Sequence, residues 1–336
     1  MNKHIIKKVI LVLGLTVAGL IPAKAQQNIQ FSQYIFNSLS VNPAYAGYKE
    51  EWFAQLALRS QWTGLSGAPR TGQLSIDGVA DANKNVGLGL QITDDRLGPQ
   101  SATSVYANYA YRLRLNDEDT QRLSFGIGAG ITQYGLDGNK LNPVDFDDPN
   151  LPAGKISTTI PDLRFGVYYY NPNFYIGASA MDLLSGDKSN SIFNWDKNNV
   201  ANLKRKRHYY LIAGTILNLS EDTKLRPSLL YKEDLKGPSS LDISSMFIFA
   251  EKFWIGGSYR TGVNLWKKDY AKGQDLSSLN SISAIAQFYV TNTFRVGYSY
   301  DHILSKLSSI QNGTHEITIG ITFPGKNKRL LSPRFF

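Results

Sequence analysis

The 336-residue sequence has no cysteine, which removes disulfide scaffolds, thiolate zinc sites, iron–sulfur clusters and cysteine nucleophiles together. Histidine is scarce, with four residues. His4 falls in the leader, His208 opens a predicted strand, His302 lies in a predicted loop and His315 adjoins Glu316, so no histidine pair stands at helical spacing. Long apolar runs are lacking too. A spanning helix needs about 20 consecutive apolar residues, and only 9–21 comes near that length. A mean hydropathy of −0.25 leaves no room for a polytopic helical membrane protein.

Catalytic constellations are missing as well. There is no nucleophile elbow and no phosphate-binding loop, because Gly126, Gly128 and Gly130 continue as one face of a strand rather than opening a helix. His302 with Ser305 or Ser308 would make a surface hydrolase pair only with Asp301 as its orienting acid. Asn142, Asp145, Asp147 and Asp148 lack the alternating spacing and central glycine of a calcium loop. The expectation is therefore a protein that is not an enzyme, with no catalytic residues, no cofactor and no metal.

What the sequence does have is 40 aromatic residues and 29 glycines in a chain of negative mean hydropathy. Aromatics and glycine without overall hydrophobicity suggest strands with two unlike faces. The formal charge is +9, but part of it belongs to the N-terminus. Lys3, Lys7 and Lys8 precede the apolar run, and Ala23-Lys24-Ala25 is a small-x-small site for cleavage between Ala25 and Gln26. Residues 1–25 thus read as a secretory signal rather than a short membrane anchor. Removing it leaves 32 bases against 27 acids, or +5. That weakens a nucleic-acid reading, which needs basic residues gathered on one face.

From residue 51 onward the sequence alternates with period 2 in segments of about ten residues. Val86, Leu88, Leu90 and Ile92 interleave with Gly87, Gly89, Gln91 and Thr93; Ile317, Ile319, Ile321 and Phe323 interleave with Glu316, Thr318, Gly320 and Thr322. Strands are predicted at 51–62, 70–80, 85–94, 101–115, 121–134, 162–170, 173–183, 207–217, 224–234, 240–249, 253–261, 281–290, 293–301 and 314–323, an even fourteen. Every other link, from 81–84 through 291–292, is short, and the intervening ones include 135–161, 184–206, 262–280 and 302–313. Short turns on one side and long loops on the other are the habit of an outer-membrane barrel, not of a soluble sandwich.

The fold expected is therefore an all-β transmembrane antiparallel barrel of about fourteen strands over 51–323, with a short N-terminal periplasmic or lumenal segment and both barrel ends on the short-turn, periplasmic side. Arg112, Arg114, Arg164, Arg226, Arg260, Arg295 and Glu316 share register with the small residues and are predicted to face the lumen. Trp52, Trp62, Tyr109, Tyr111, Tyr169, Tyr170, Phe288, Tyr298 and Tyr300 lie near strand ends, as interfacial girdles would, although core-packing aromatics give the same sequence pattern.

Residues 26–50 do not alternate. Phe31, Tyr34, Ile35 and Leu39 are spaced as one face of a short helix, broken at Asn42-Pro43. So apolar a segment must be buried, as a lid in the barrel mouth or against a partner, and Phe31, Tyr34, Phe36, Asn42, Pro43 and Tyr45 are its candidate contact residues. The tail, 324–336, is either solvated or docks on a periplasmic partner. Lys204, Arg205, Lys206 and Arg207 form a basic run that is either solvated or lies beside lipopolysaccharide phosphates.

Gln30-Phe31-Ser32-Gln33-Tyr34-Ile35-Phe36-Asn37 and Val41-Asn42-Pro43-Ala44-Tyr45-Ala46-Gly47 closely resemble the N-terminal signature of the PorP/SprF family of type IX secretion system outer-membrane proteins. The likeness continues at 161–169, 174–179, 207–210, 253–260 and 300–308. It departs at Ser38, where proline is expected, and at Met181-Asp182, where the family tends to have a histidine. The resemblance implies a non-enzymatic outer-membrane component of protein secretion and, in gliding bacteria, of adhesin delivery to the surface. Its implied partners are the periplasmic ring, made of a lipoprotein and its partner, and a cognate secreted protein recognised through its C-terminal domain. Lipid bilayer and lipopolysaccharide complete the expected surroundings. The rival function is a passive porin for small solutes, preferentially anionic ones because of the lumen arginines.

Overall fold

The computed structural model describes residues 29–80, 84–141, 154–185, 206–235, 237–263, 265 and 280–324. Fourteen antiparallel strands form a closed barrel. They are β1 (Trp52–Ser60), β2 (Arg70–Val79), β3 (Val86–Leu97), β4 (Gln100–Arg114), β5 (Arg122–Asp137), β6 (Lys155–Tyr170) and β7 (Phe174–Met181). Then follow β8 (His208–Thr215, resuming at Leu217–Asn218), β9 (Thr223–Glu233), β10 (Ser239–Phe249), β11 (Phe253–Val263), β12 (Ser281–Tyr289), β13 (Phe294–Ile303) and β14 (Thr314–Phe323). Each strand pairs with the next, and β14 returns to β1 from Phe323 opposite Trp52 to His315 opposite Ser60. Closure leaves no sheet edge, which is what hydrocarbon requires of a spanning sheet.

The two faces separate as the alternation predicts. On β1, Phe53, Gln55, Ala57 and Arg59 are buried inward, while Leu58 faces out. Large apolar side chains in mid-strand, such as Ile127 and Leu74, are 55% and 50% exposed, a surface whose natural solvent is lipid. No helix among the described residues is long and apolar enough to cross a membrane.

Three expectations are corrected here. Aromatics do not all face lipid: Tyr106, Tyr168, Tyr170, Tyr175 and Trp254 are buried inside the barrel. Tyr170 therefore leaves the girdle, since Tyr169 and Tyr170 are consecutive and point to opposite faces, and Trp62 lies past the end of β1, half-buried. The link after β3 is only residues 98–99, because β3 and β4 run on together to Leu97 opposite Gln100, so the side with long links also carries a tight turn. Strand β6 begins at Lys155, seven residues before the predicted start.

The N-terminal segment is neither a helix nor a lid at the mouth. It comprises three 3₁₀ turns, Tyr34–Phe36, Ser38–Ser40 and Pro43–Tyr45, packed inside the barrel. The helical spacing assumed one solvated face, but wall surrounds this segment, and Asn37 and Asn42 are as buried as Ile35. Residues 30–32 lie in the long-link half of the lumen, beside Asp242, Asp301 and Glu316, and the chain then runs toward the short-link end to enter β1.

Candidate functional site

The site is the lumen with this plug in it. The plug is tied to the wall on every side, largely through its own backbone, so that few of its polar groups depend on water. Glu316 accepts hydrogen bonds from the consecutive backbone N–H groups of Ser32 and Gln33 at 2.9 and 3.1 Å. Arg226 donates to the Ile35 carbonyl at 3.2 Å and Arg295 to the Phe36 carbonyl at 3.1 Å. The Asn42 amide donates to the Val167 carbonyl at 3.0 Å and the Ala178 carbonyl at 3.3 Å, while its oxygen caps the last turn by accepting from Ala44 N–H at 2.9 Å. Ser124 donates to the Ala44 carbonyl at 2.7 Å, Ser179 to the Val41 carbonyl, and Gly47 N–H to Asp77 at 3.0 Å. The Asn37 amide bonds Gln73, and the Tyr34 hydroxyl and Ser244 Oγ lie 3.0 Å apart.

Apolar contacts complete the fit. Phe36 meets Trp254 edge-on at 5.4 Å, and the Arg295 guanidinium lies 5.4 Å from the Phe36 ring and 4.6 Å from that of Phe53. Tyr45 stacks on Tyr48 at 5.0 Å, and Tyr48 meets Tyr170 edge-on at 4.7 Å. Burial pushes the Tyr34 and Tyr45 hydroxyls well above the ordinary phenol range, so both stay neutral. The wall is thinned to receive the plug: a side-chain carbon at Gly87 would overlap the Ala46 carbonyl, and one at Gly126 the Ala44 backbone nitrogen.

Two buried charge clusters hold the ends. At the leading end Arg59 bridges Asp301 and Glu316, both at 2.8 Å, and donates to Ser32 Oγ at 2.9 Å, while Ser32 Oγ donates to Asp301. At the trailing end Glu50 pairs with Lys84 at 2.7 Å and Arg112 at 3.2 Å, and Arg112 donates to the Tyr170 hydroxyl at 2.7 Å. Such ions are tolerated in a dry interior only when fully paired.

The predicted residues are distributed as follows. Phe31, Tyr34, Phe36, Asn42, Pro43 and Tyr45 are all in the plug and buried. Arg112, Arg226, Arg295 and Glu316 face the lumen and touch the plug. Arg260 faces in but is held by Asp242 at 2.8 Å, and Arg164 lies over the Tyr106 ring at 3.2 Å and donates to Gln91 at 3.0 Å. Arg114 has inward parity yet lies at the end of β4, opposite Arg122, and is exposed beyond the lumen. Asp301 and His302 point to opposite faces of β13, so Asp301 cannot orient that histidine. Asp182, the departure from the family pattern, lies 3.0 Å from His208 Nδ1.

Ala25 and Gln26, the acidic set 142–148, Lys204, Arg205 and the tail 325–336 lie outside the described residues; Arg207 donates to the Ser185 carbonyl at 3.1 Å. Arg59, Glu50, Asp77 and Asp301 were missed as site residues. Arg59 and Asp301 carried the signal all the same, sharing parity with the polar faces of their strands.

Solved barrels resemble this one in shape alone. The Ralstonia pickettii toluene transporter TbuX superposes with a TM-score of 0.51 at 10% identity, covering 87% of this chain and 93% of that one. The CymD monoaromatic hydrocarbon channel gives 0.50 at 11% identity, covering 90% and 96%. The Acinetobacter baumannii outer membrane protein Omp33 gives 0.46 at 8% identity, covering 82% of this chain and 100% of that one. No curated protein matches the sequence. A family model described as type IX secretion system membrane protein PorP/SprF matches residues 23–321. With its N-terminal plug and all but the last two residues of its barrel wall inside that match, the chain belongs to the PorP/SprF family of type IX secretion system membrane proteins.

Proposed function

We propose that this outer-membrane component of the type IX secretion system works as a closed barrel that binds other proteins, without enzymatic activity and without conducting solutes. The observation that carries the reading is the plug. A diffusion pore keeps a wetted lumen, whereas here residues 31–48 bring aromatic side chains, paired ions and backbone ties into it from all sides. In the proposed orientation the short links and both ends of the barrel face the periplasm, as short turns do in bacterial barrels. The ring lipoprotein and its partner would then meet the short-link end, and a secreted protein, such as a gliding adhesin, would be anchored through its C-terminal domain.

Planar-bilayer recording tests the closed barrel. The purified protein should show no steady conductance, and a variant lacking 29–49 should show one. Steady current from the intact protein would favour the passive, anion-preferring porin instead. An epitope in the link 304–313, probed on intact cells, tests the orientation; labelling is expected only if the long links face outward.

A further inference from the structure

One row of side chains on the outer wall takes no part in plugging the lumen. At the long-link end the register sets Arg96 of β3 opposite Arg70 of β2, Arg70 opposite Ser60 of β1, Ser60 opposite His315 of β14, and His315 opposite Tyr300 of β13. All five share outward parity with Ile92, Leu74, Leu58, Ile317 and Tyr298 on the same strands. Two residues deeper the same strands present Asp94, Gly72, Leu58, Ile317 and Tyr298, and four residues deeper Ile92, Leu74, Leu56, Ile319 and Val296, an unbroken apolar row. The row thus stands where charged and aromatic groups give way to hydrocarbon, the height of a lipid headgroup.

The charge there is compensated only in part, by Asp94 on the same outward face of β3. Directly opposite side chains in an antiparallel pair lie about 4.5–5.5 Å apart at Cβ, and like charges so placed repel. Arg96 is partly relieved by Asp94 at 2.9 Å, but its side chain remains 71% exposed. Arg70 is exposed, and among the described residues none pairs with it. Beside them His315 is fixed in place by a 2.7 Å hydrogen bond between its Nδ1 and the Tyr298 hydroxyl, with the Tyr300 ring 5.2 Å away. Two adjacent guanidiniums with a hydroxyl and an imidazole alongside are a donor set for phosphate, whose oxygens match the guanidinium fork.

The geometry points to a lipopolysaccharide site: Arg70 and Arg96, flanked by Ser60 and His315, hold a headgroup phosphate, and the acyl chains lie over Leu58, Leu74, Ile92 and Ile317. Lipopolysaccharide, rather than a phospholipid, follows from the proposed orientation, on which this assignment rests. The site differs from the basic run 204–207, since it lies on the barrel wall itself.

The test is native mass spectrometry of the full-length protein and of R70Q/R96Q in detergent. Both are titrated with monophosphoryl lipid A, its dephosphorylated form, phosphatidylglycerol and inorganic phosphate. Retained heat-modifiable mobility of the variant confirms that it is folded. The wild-type protein should bind monophosphoryl lipid A about tenfold more tightly than the variant, as for the loss of a charge-assisted phosphate clamp, and the dephosphorylated lipid should bind both equally. Equal binding of the phosphorylated lipid to both proteins overturns the site. Stronger retention of phosphatidylglycerol, or displacement of lipid A by free phosphate, overturns the choice of ligand. Surface labelling at 304–313 reports on orientation separately, so loss of the lipid preference with labelling intact counts against the site alone.

Discussion

Glu316 shows how one buried side chain can hold a chain segment without reading its sequence. Its two oxygens take the backbone N–H groups of Ser32 and Gln33, and Arg59 neutralises it while also reaching Asp301. Removing one partner of such a pair strands the others in a dry site, at a cost of about 3 kcal/mol. Glu316→Ala should therefore lower the urea midpoint of the folded barrel by that equivalent and expose the plug to protease; an unchanged midpoint would count against the cradle. Tyr34 and Tyr45 give a pH prediction. Their folded-state phenol pKa values are raised by burial, so their contribution is complete below the unfolded value near 10 and is lost as pH rises above it. Stability to urea should thus be lower at pH 11 than at pH 8, and Tyr34→Phe should shrink the difference. At this scale the lumen arginines were legible from parity, but which of them touch the plug was not. Arg226 and Arg164 carry the same sequence signal and meet different partners.

The elements repeat that division. Period-2 alternation found every strand, because each wall residue faces either lipid or lumen. It misjudged where β6 starts because Pro161 reads as a breaker; in the barrel Pro161 lies opposite Ile131 of β5, above the point where β7 begins to pair at Phe165. Pro227 acts similarly on β9. The register is the same on either side of it, with Ser228 opposite Gly214 and Leu225 opposite Leu217, and β8 is interrupted between them, where the missing N–H cannot be supplied. For the plug, helical spacing was the wrong guide, since a segment buried all round needs no polar face. The wall glycines offer a direct test. Gly126→Leu places a side chain where the Ala44 backbone lies, so the plug should be displaced while β5 still forms. Bilayer current from Gly126→Leu, absent from wild type, is the expected outcome; a silent, fully folded variant would sink the idea that the plug closes the lumen.

At the scale of the whole molecule, closure is the governing fact. A barrel completed by β14 on β1 satisfies its backbone internally, so the folded form should resist sodium dodecyl sulfate until boiled, and deleting β14 should abolish the compact band. Affinity isolation of the tagged protein from outer membranes should bring down periplasmic ring proteins and a large secreted protein. Recovery of the barrel alone would leave the proposed docking role without support. At 10% and 11% identity, the shape it shares with TbuX and CymD is a likeness of fold alone.

The sequence by itself determined the barrel: its strand number, its two faces, the absence of thiol chemistry and the family. These depend on local alternation and composition, which each segment carries independently of the others. Only the tertiary structure decided that the N-terminal segment lies inside rather than across the mouth, that Arg59 and Glu316 meet around Ser32, and that Arg70 and Arg96 stand side by side on the lipid face. Those are contacts between residues far apart in the chain, and their partners are chosen by strand register and barrel closure, which no single stretch of sequence contains.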